Sequence, residues 1–97
     1  MKKINLLDNE YEIIKDDNQV FDYEETKSLM TDYFADYDYV LGDYAYGKLR
    51  LKGFYKDNNK KANNINKYSY MDKYIKDYCA YMCKYFIIEK NTKNIDK

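Results

Sequence analysis

The run Tyr37-Asp38-Tyr39-Val40-Leu41-Gly42-Asp43-Tyr44-Ala45-Tyr46-Gly47-Lys48-Leu49-Arg50-Leu51-Lys52-Gly53-Phe54-Tyr55 decides the fold. It holds all three glycines, the only arginine and the strongest strand signals of the chain. In its second half Leu49, Leu51, Gly53 and Tyr55 point one way, while Lys48, Arg50, Lys52, Phe54 and Lys56 point the other. Successive strand side chains face opposite sides, so this alternation predicts a strand over residues 48–56. Leucine is a weaker strand former than valine or isoleucine, so the alternation carries the reading rather than propensity. The first half, residues 37–43, sets Tyr39 and Leu41 against Val40 on the other face, which predicts a central strand covered on both sides. Joined across Tyr44-Ala45-Tyr46-Gly47, the two strands form a hairpin.

Working outward, residues 3–14 predict a second tight hairpin about Asp8-Asn9, two residue types that tolerate positive φ. Pairing Leu7 with Glu10 sets Leu6 opposite Tyr11 and Ile4 opposite Ile13, which gathers the apolar residues on one face. Asp22 followed by Glu25 is an acidic capping box, and Leu29, Met30, Tyr33, Phe34 and Tyr37 recur at helical spacing. One helix ending near Asp36 follows. Asp57 to Lys67 is rich in asparagine and lysine and long for a connection, and it reads as disordered, with a functional loop as the alternative. A second helix starts at Ser69, with Met71, Tyr74, Ile75, Tyr78 and Cys79 as its apolar stripe. Lys84–Glu89 is β-rich and apolar on both faces, a fifth, central strand, and residues 91–97 read as a frayed tail. The order β-β-α-β-β-α-β predicts an α+β domain over residues 1–90, a single mostly antiparallel sheet with two helices on one face.

Composition bounds the chemistry. The chain of 97 residues has 14 Tyr and no Trp, Pro or His. Lys, Asn, Ile, Tyr and Phe are residues of A/T-rich codons, so genome composition accounts for much of the bias. With Leu, Ile, Val and Phe scarce, Tyr must supply core volume, and each buried hydroxyl then needs a partner. Net charge is zero but uneven: residues through Tyr44 carry 12 acids and 4 bases, those from Ala45 on 5 acids and 13 bases, or −8 against +8. No apolar run approaches the ~18 residues that span a bilayer. Leu6-Leu7 is followed at once by Asp8 and Glu10 and makes no signal-peptide core, so a cytoplasmic location is expected and no membrane partner. There Cys79 and Cys83 stay thiols, and their helical spacing suits a disulfide poorly.

No phosphate-binding loop, nucleophile elbow or histidine constellation is present, which weakens enzymatic readings, and no cofactor is expected. Without histidine, two thiols cannot complete a four-ligand zinc site within one chain unless carboxylates or a second copy contribute. Lys84 beside Cys83 lowers that thiol's pKa in principle, which keeps a thiol-dependent redox or metal-linked activity at Cys79 and Cys83 as an alternative. The stronger candidate is a basic and aromatic strand face: Lys48, Arg50, Lys52, Phe54 and Lys56, with Tyr44 and Tyr46 from the turn. Cations with exposed rings neutralise phosphates and stack bases, which points to a non-enzymatic binding domain with RNA or a ribonucleoprotein as partner. Asp43 lies where Arg50 or Lys48 reaches it across the hairpin, as a salt bridge or a site carboxylate. The second reading is a protein-interaction module anchored by Tyr44, Tyr46 and Arg50. The oligomeric state stays open.

The run also resembles the hallmark of the YutD-like family of small bacterial proteins, Y-D-Y-I-V-G-D-W-G-Y-x-Q-L-R-L-K-G-F. A second matching run is Tyr74-Ile75, Tyr78-Cys79, Cys83 and Tyr85-Phe86, so the likeness covers residues 37–88. Tyr44 replaces the family's Trp, Ala45 the next Gly, Lys48 a Gln and Met82 a Gly between the cysteines. The resemblance implies the fold, a bacterial origin and a cytosolic setting, and it implies no activity.

Overall fold

Alternation over the first residues builds β1 (Lys2–Leu6) and β2 (Asn9–Lys15), joined by a two-residue turn at Leu7-Asp8. Both turn residues take positive φ, 53° and 62°. The turn therefore lies one residue earlier than the sequence suggests, and Ile4 pairs with Tyr11, Leu6 with Asn9. A shift of two in register returns every side chain to its face, so Ile4, Leu6 and Tyr11 are still buried together. Asn9 Nδ2 donates to the Leu7 carbonyl at 3.2 Å, a local bond that suits a turn at Leu7-Asp8. The computed structural model describes residues 2–78 and 84–91. The expected tail from residue 92 on and the cysteine pair lie outside the described residues.

The helix predicted from Asp22 begins as expected: the Asp22 carboxylate accepts from the Glu25 N–H at 2.9 Å. It does not run on to Asp36. Helix α1 (Tyr23–Leu29) ends at Met30, whose backbone is extended, and a short α2 (Asp32–Ala35) restarts after Thr31. The break turns Met30 into the core at 6% exposure, while Leu29 and Tyr33 stay outside at 39% and 66%. Burial of one large side chain decided against an unbroken apolar stripe.

Strands β3 (Tyr39–Ala45) and β4 (Lys48–Phe54) form the central hairpin, and β5 (Tyr85–Lys90) is the fifth strand. The sheet runs β1-β2-β5-β3-β4, with all four pairings antiparallel. Strand β5 is central, as its two-faced apolar pattern requires, and β1 and β4 are the edges. Helix α3 (Met71–Tyr78) follows a 3₁₀ turn at Tyr68–Tyr70. Among the described residues no helix is long and apolar enough to cross a membrane.

The helices do not share a face. Val40, Leu49, Phe86 and Ile88 pack with Met30 on one side of the sheet; Leu41, Phe54 and Ile87 pack with Met71 on the other. Alternation places neighbours such as Val40 and Leu41 on opposite faces, so α1 and α3 sandwich the sheet. Alternation likewise sends Ile13 to the α1 side and Ile14 to the α3 side, and a register shift in β2 between Ile13 and Lys15 pairs Lys15 with Ile87.

Two glycines of the hairpin are seats for rings. A Cβ on Gly42 would run into the ring of Phe86, its partner on β5, and one on Gly53 would run into Tyr37. Residues 57–67 are ordered rather than disordered, because asparagine side chains close their turns. Asn59 Oδ1 accepts from the Lys61 N–H at 2.8 Å, and Asn63 Oδ1 accepts from the N–H of Ile65 at 2.9 Å and of Asn66 at 3.0 Å.

Candidate binding site on the central hairpin

Turn geometry fixes what the hairpin presents. Tyr46 and Gly47 both take positive φ, 54° and 77°, which closes a two-residue turn between the paired Ala45 and Lys48. Lys48, Arg50, Lys52 and Phe54 then fall on one face, as alternation predicts. That face is not all wet, because α3 covers its far half.

Phe54 is the clearest correction. It is fully buried with Leu41, Met71 and Ile87, and the Tyr74 ring stands edge-on to it at 5.7 Å. No nucleobase reaches such a ring. Lys52 is half-buried, with Nζ 5.3 Å from the centroid of Phe54 and 5.9 Å from that of Tyr74, so its charge rests on the rim of the core. Lys56 is half-buried, and its N–H donates to Asp38 Oδ2 at 2.8 Å.

Asp43 and Arg50 face each other across the hairpin as a two-pronged pair. Arg50 Nε donates to Asp43 Oδ1 at 3.1 Å, and Nη2 to Oδ2 at 2.6 Å. The Asp43 side chain is 4% exposed and that of Arg50 48%. The carboxylate thus aims the guanidinium and leaves its outer side in water. Tyr44 points to the opposite face and is half-buried; its hydroxyl donates to Glu25 Oε1 at 3.0 Å. Burial, helped by the Glu25 carboxylate, pushes its pKa up to about 12.

Tyr46 stands apart. It is 100% exposed at the tip of the hairpin. Of the eight residues on the predicted surface, Tyr46 and Lys48 are exposed and the Arg50 side chain is half-exposed, while Asp43, Tyr44, Lys52, Phe54 and Lys56 are engaged in the fold. The pair Asp43–Arg50 and the pair Asp36–Lys61, at 2.7 Å, also join the acidic and basic halves of the chain, so part of the charge asymmetry is neutralised internally.

A polar strap missed by the sequence reading braces the hairpin. Tyr55 stacks on Tyr37 at 4.6 Å, and its hydroxyl donates to Asp36 Oδ2 at 2.7 Å. Lys61 and then Tyr55 hold the Asp36 carboxyl below the usual carboxylate range. Asp38 accepts from Lys56 N–H and from Asn59 Nδ2, at 2.8 and 3.1 Å. Tyr55 also donates its N–H to the Asn66 carbonyl at 2.7 Å and accepts from the Tyr68 N–H at 2.8 Å. Extending the alternation of strand four to Tyr55 was the one sequence signal for this bracing; the asparagine-rich composition hid the rest.

Comparison with known proteins agrees with the architecture. A family model described as "Putative antitoxin YutD-like" matches residues 5–89. "Putative antitoxin YutD" of Bacillus subtilis (strain 168) is 40% identical over 84 residues, which is 87% of this chain and 92% of the relative. The solution NMR structure of protein yutD from B. subtilis matches with a TM-score of 0.79 and 38% identity, covering 96% of this chain and 84% of that one.

Proposed function

Because the chain belongs to the YutD-like family, we propose that it is a binding protein for another protein, which it holds through the tip and exposed cations of the β3–β4 hairpin. One observation carries the reading. Tyr46 is a large ring in the left-handed region, φ 54°, where side chains other than Gly, Asn and Asp are disfavoured, and it packs against nothing at 100% exposure. Leu7 and its φ of 53° are different, since Leu7 is packed on the core. Strain without packing is retained where something outside the fold uses the ring. Tyrosine and arginine are residue types that anchor protein interfaces, and this hairpin presents exposed Tyr46 and half-exposed Arg50. The description of the relative as an antitoxin fits a molecule that holds a partner rather than one that turns over a substrate. RNA is the less favoured partner, because Phe54, the ring needed for base stacking on the strand, lies inside the fold.

The test is affinity capture with the full chain from nuclease-treated extract of the source cell, comparing wild type with Tyr46→Gly and Lys48→Ala. A single protein retained after nuclease and lost with Tyr46→Gly supports the reading. Capture that disappears with nuclease, or that ignores Tyr46→Gly, refutes it. Glycine relaxes the left-handed position, so Tyr46→Gly is also expected to stabilise the fold by roughly 0.5–1 kcal/mol, which separates lost binding from lost structure.

A further inference from the structure

The edge strand β4 carries a second consequence of the turn. In a two-residue hairpin the residues flanking the turn bond to each other, and the phase then alternates along the strand. Ala45 and Lys48 flank this turn, so Lys48, Arg50, Lys52 and Phe54 direct their backbone groups inward to β3. Leu49, Leu51 and Gly53 direct theirs outward, away from the sheet. The strand's continuation obeys the same phase: Tyr55, two residues beyond Gly53, bonds outward to Asn66 and Tyr68 at 2.7 and 2.8 Å, in a parallel bridge to Lys67. The chain thus adds to its own edge for one step and then leaves it. Among the described residues, no hydrogen bond to another segment ends on the backbone of Leu49, Leu51 or Gly53. The opposite edge is partly closed, since the outward carbonyl of Asn5 on β1 accepts from the Tyr23 hydroxyl at 2.9 Å.

We propose that the β4 edge takes up an extended, acidic segment of a partner protein as a sixth strand, bonded to the backbones of Leu49, Leu51 and Gly53. The proposal rests on the protein-binding reading above and names the mode of docking. Charge selects the occupant. Lys48, Arg50 and Lys52 share the face that a new strand's alternate side chains would meet, and a partner with Asp or Glu at those positions complements them. A second copy is disfavoured: antiparallel pairing of two β4 strands about Leu51 sets Arg50 of each against Lys52 of the other. Like charges directly opposite are destabilising, and lysine on an edge is a common guard against self-pairing. Tyr46 lies at one end of this edge and the Asn66–Tyr68 segment at the other, so the docking length is bounded by the fold.

The experiment uses the full chain, isotopically labelled, titrated with a short peptide of alternating Glu and Val and with its counterpart of alternating Lys and Val. The acidic peptide is expected to protect the amides of Leu49, Leu51 and Gly53 from exchange, with those of Arg50 and Lys52 already protected by β3. The basic peptide is expected to bind at least about tenfold more weakly. Leu51→Pro removes one outward N–H and no bond to β3, so it is expected to weaken the acidic peptide by about fivefold or more. Should that variant fail to fold, the double charge reversal Lys48→Glu with Lys52→Glu carries the test, and it is expected to reverse the preference between the peptides. The assignment is overturned by no binding of the acidic peptide, by equal binding of both peptides or by protection elsewhere. It is equally overturned by undiminished binding to Leu51→Pro, or by a wild-type dimer in sedimentation that Leu51→Pro dissolves. If the edge tests fail while Tyr46→Gly still abolishes capture of a protein partner, the protein-binding reading stands and the edge assignment falls.

Discussion

Gly42→Ala is the sharpest probe of the central hairpin, because it asks whether its glycine serves packing. An alanine Cβ would lie 2.6 Å from Cε2 and 2.8 Å from Cε1 of Phe86, and closer still to Cζ. Carbon atoms settle at about 3.5–4.0 Å, so the ring must move by about 1 Å. It has nowhere to go. Phe86 is fully buried, and Phe21 stands edge-on behind it with centroids 5.0 Å apart. Interiors packed at crystal density answer such insertions with off-rotamer side chains, at about 1–3 kcal/mol. The lower chain entropy of unfolded alanine returns about 0.4–1 kcal/mol, leaving a net loss near 1–2 kcal/mol. For a domain of this size that lowers Tm by roughly 5–15 °C. Urea unfolding is the assay, with the midpoint falling and the slope unchanged. Phe86→Leu supplies the second arm: with the ring gone, Gly42→Ala should cost little more, so the double mutant departs from additivity by about 1 kcal/mol. A change below about 0.5 kcal/mol, or an equal loss in both backgrounds, would refute the ring-seat reading.

Three further perturbations probe the same packing. Thr26 is fully buried on α1 and its Oγ1 has no hydrogen-bond partner among the described residues, so isosteric Thr26→Val should stabilise the protein by about 1 kcal/mol in urea; destabilisation would mean that the hydroxyl is satisfied. Arg50→Ala withdraws two charge-assisted bonds from the buried Asp43 carboxylate, and the loss should be about 1–2 kcal/mol, held down by the half-exposure of Arg50; Arg50→Lys, which cannot match the fork, should recover little of it. Burial pushes the phenols of Tyr37, Tyr39 and Tyr44 up to about 12 from 10.0, so the folded chain keeps protons that the unfolded chain releases. Their contribution is fully present below pH 10.0 and drains away as pH rises toward about 12, which urea midpoints and tyrosinate absorbance would follow; a flat midpoint across that window would contradict it.

Local signals were legible wherever a residue's own neighbours settle its conformation. The Asp22 cap, the alternation of β4 and the two-faced run of β5 are such cases, and each sits where the residues indicate. The helix expected through Asp36 failed because a helical stripe states which residues are apolar, not which of them the sheet has room to bury. Met30 entered the core, and Leu29 and Tyr33 were left outside. Residues 57–67 looked disordered by composition, yet asparagines can close turns with their own side chains, and Asp36 and Asp38 anchor the segment from afar in the chain.

For the binding surface the division is sharper. By itself the sequence determined that β4 has two unlike faces and that its cations share one of them, since the period of a strand depends only on backbone geometry. It also determined the hairpin and, through its literal motif, the family. Only the tertiary structure decided that α3 lies across the cationic face, burying Phe54 under Met71 and drawing Lys52 onto its rim. The same packing decided that β4 ends the sheet with its outward backbone bare from Leu49 to Gly53. Strand order and helix side are set by which apolar surfaces meet, and those meetings join residues far apart in the chain that no local period encodes.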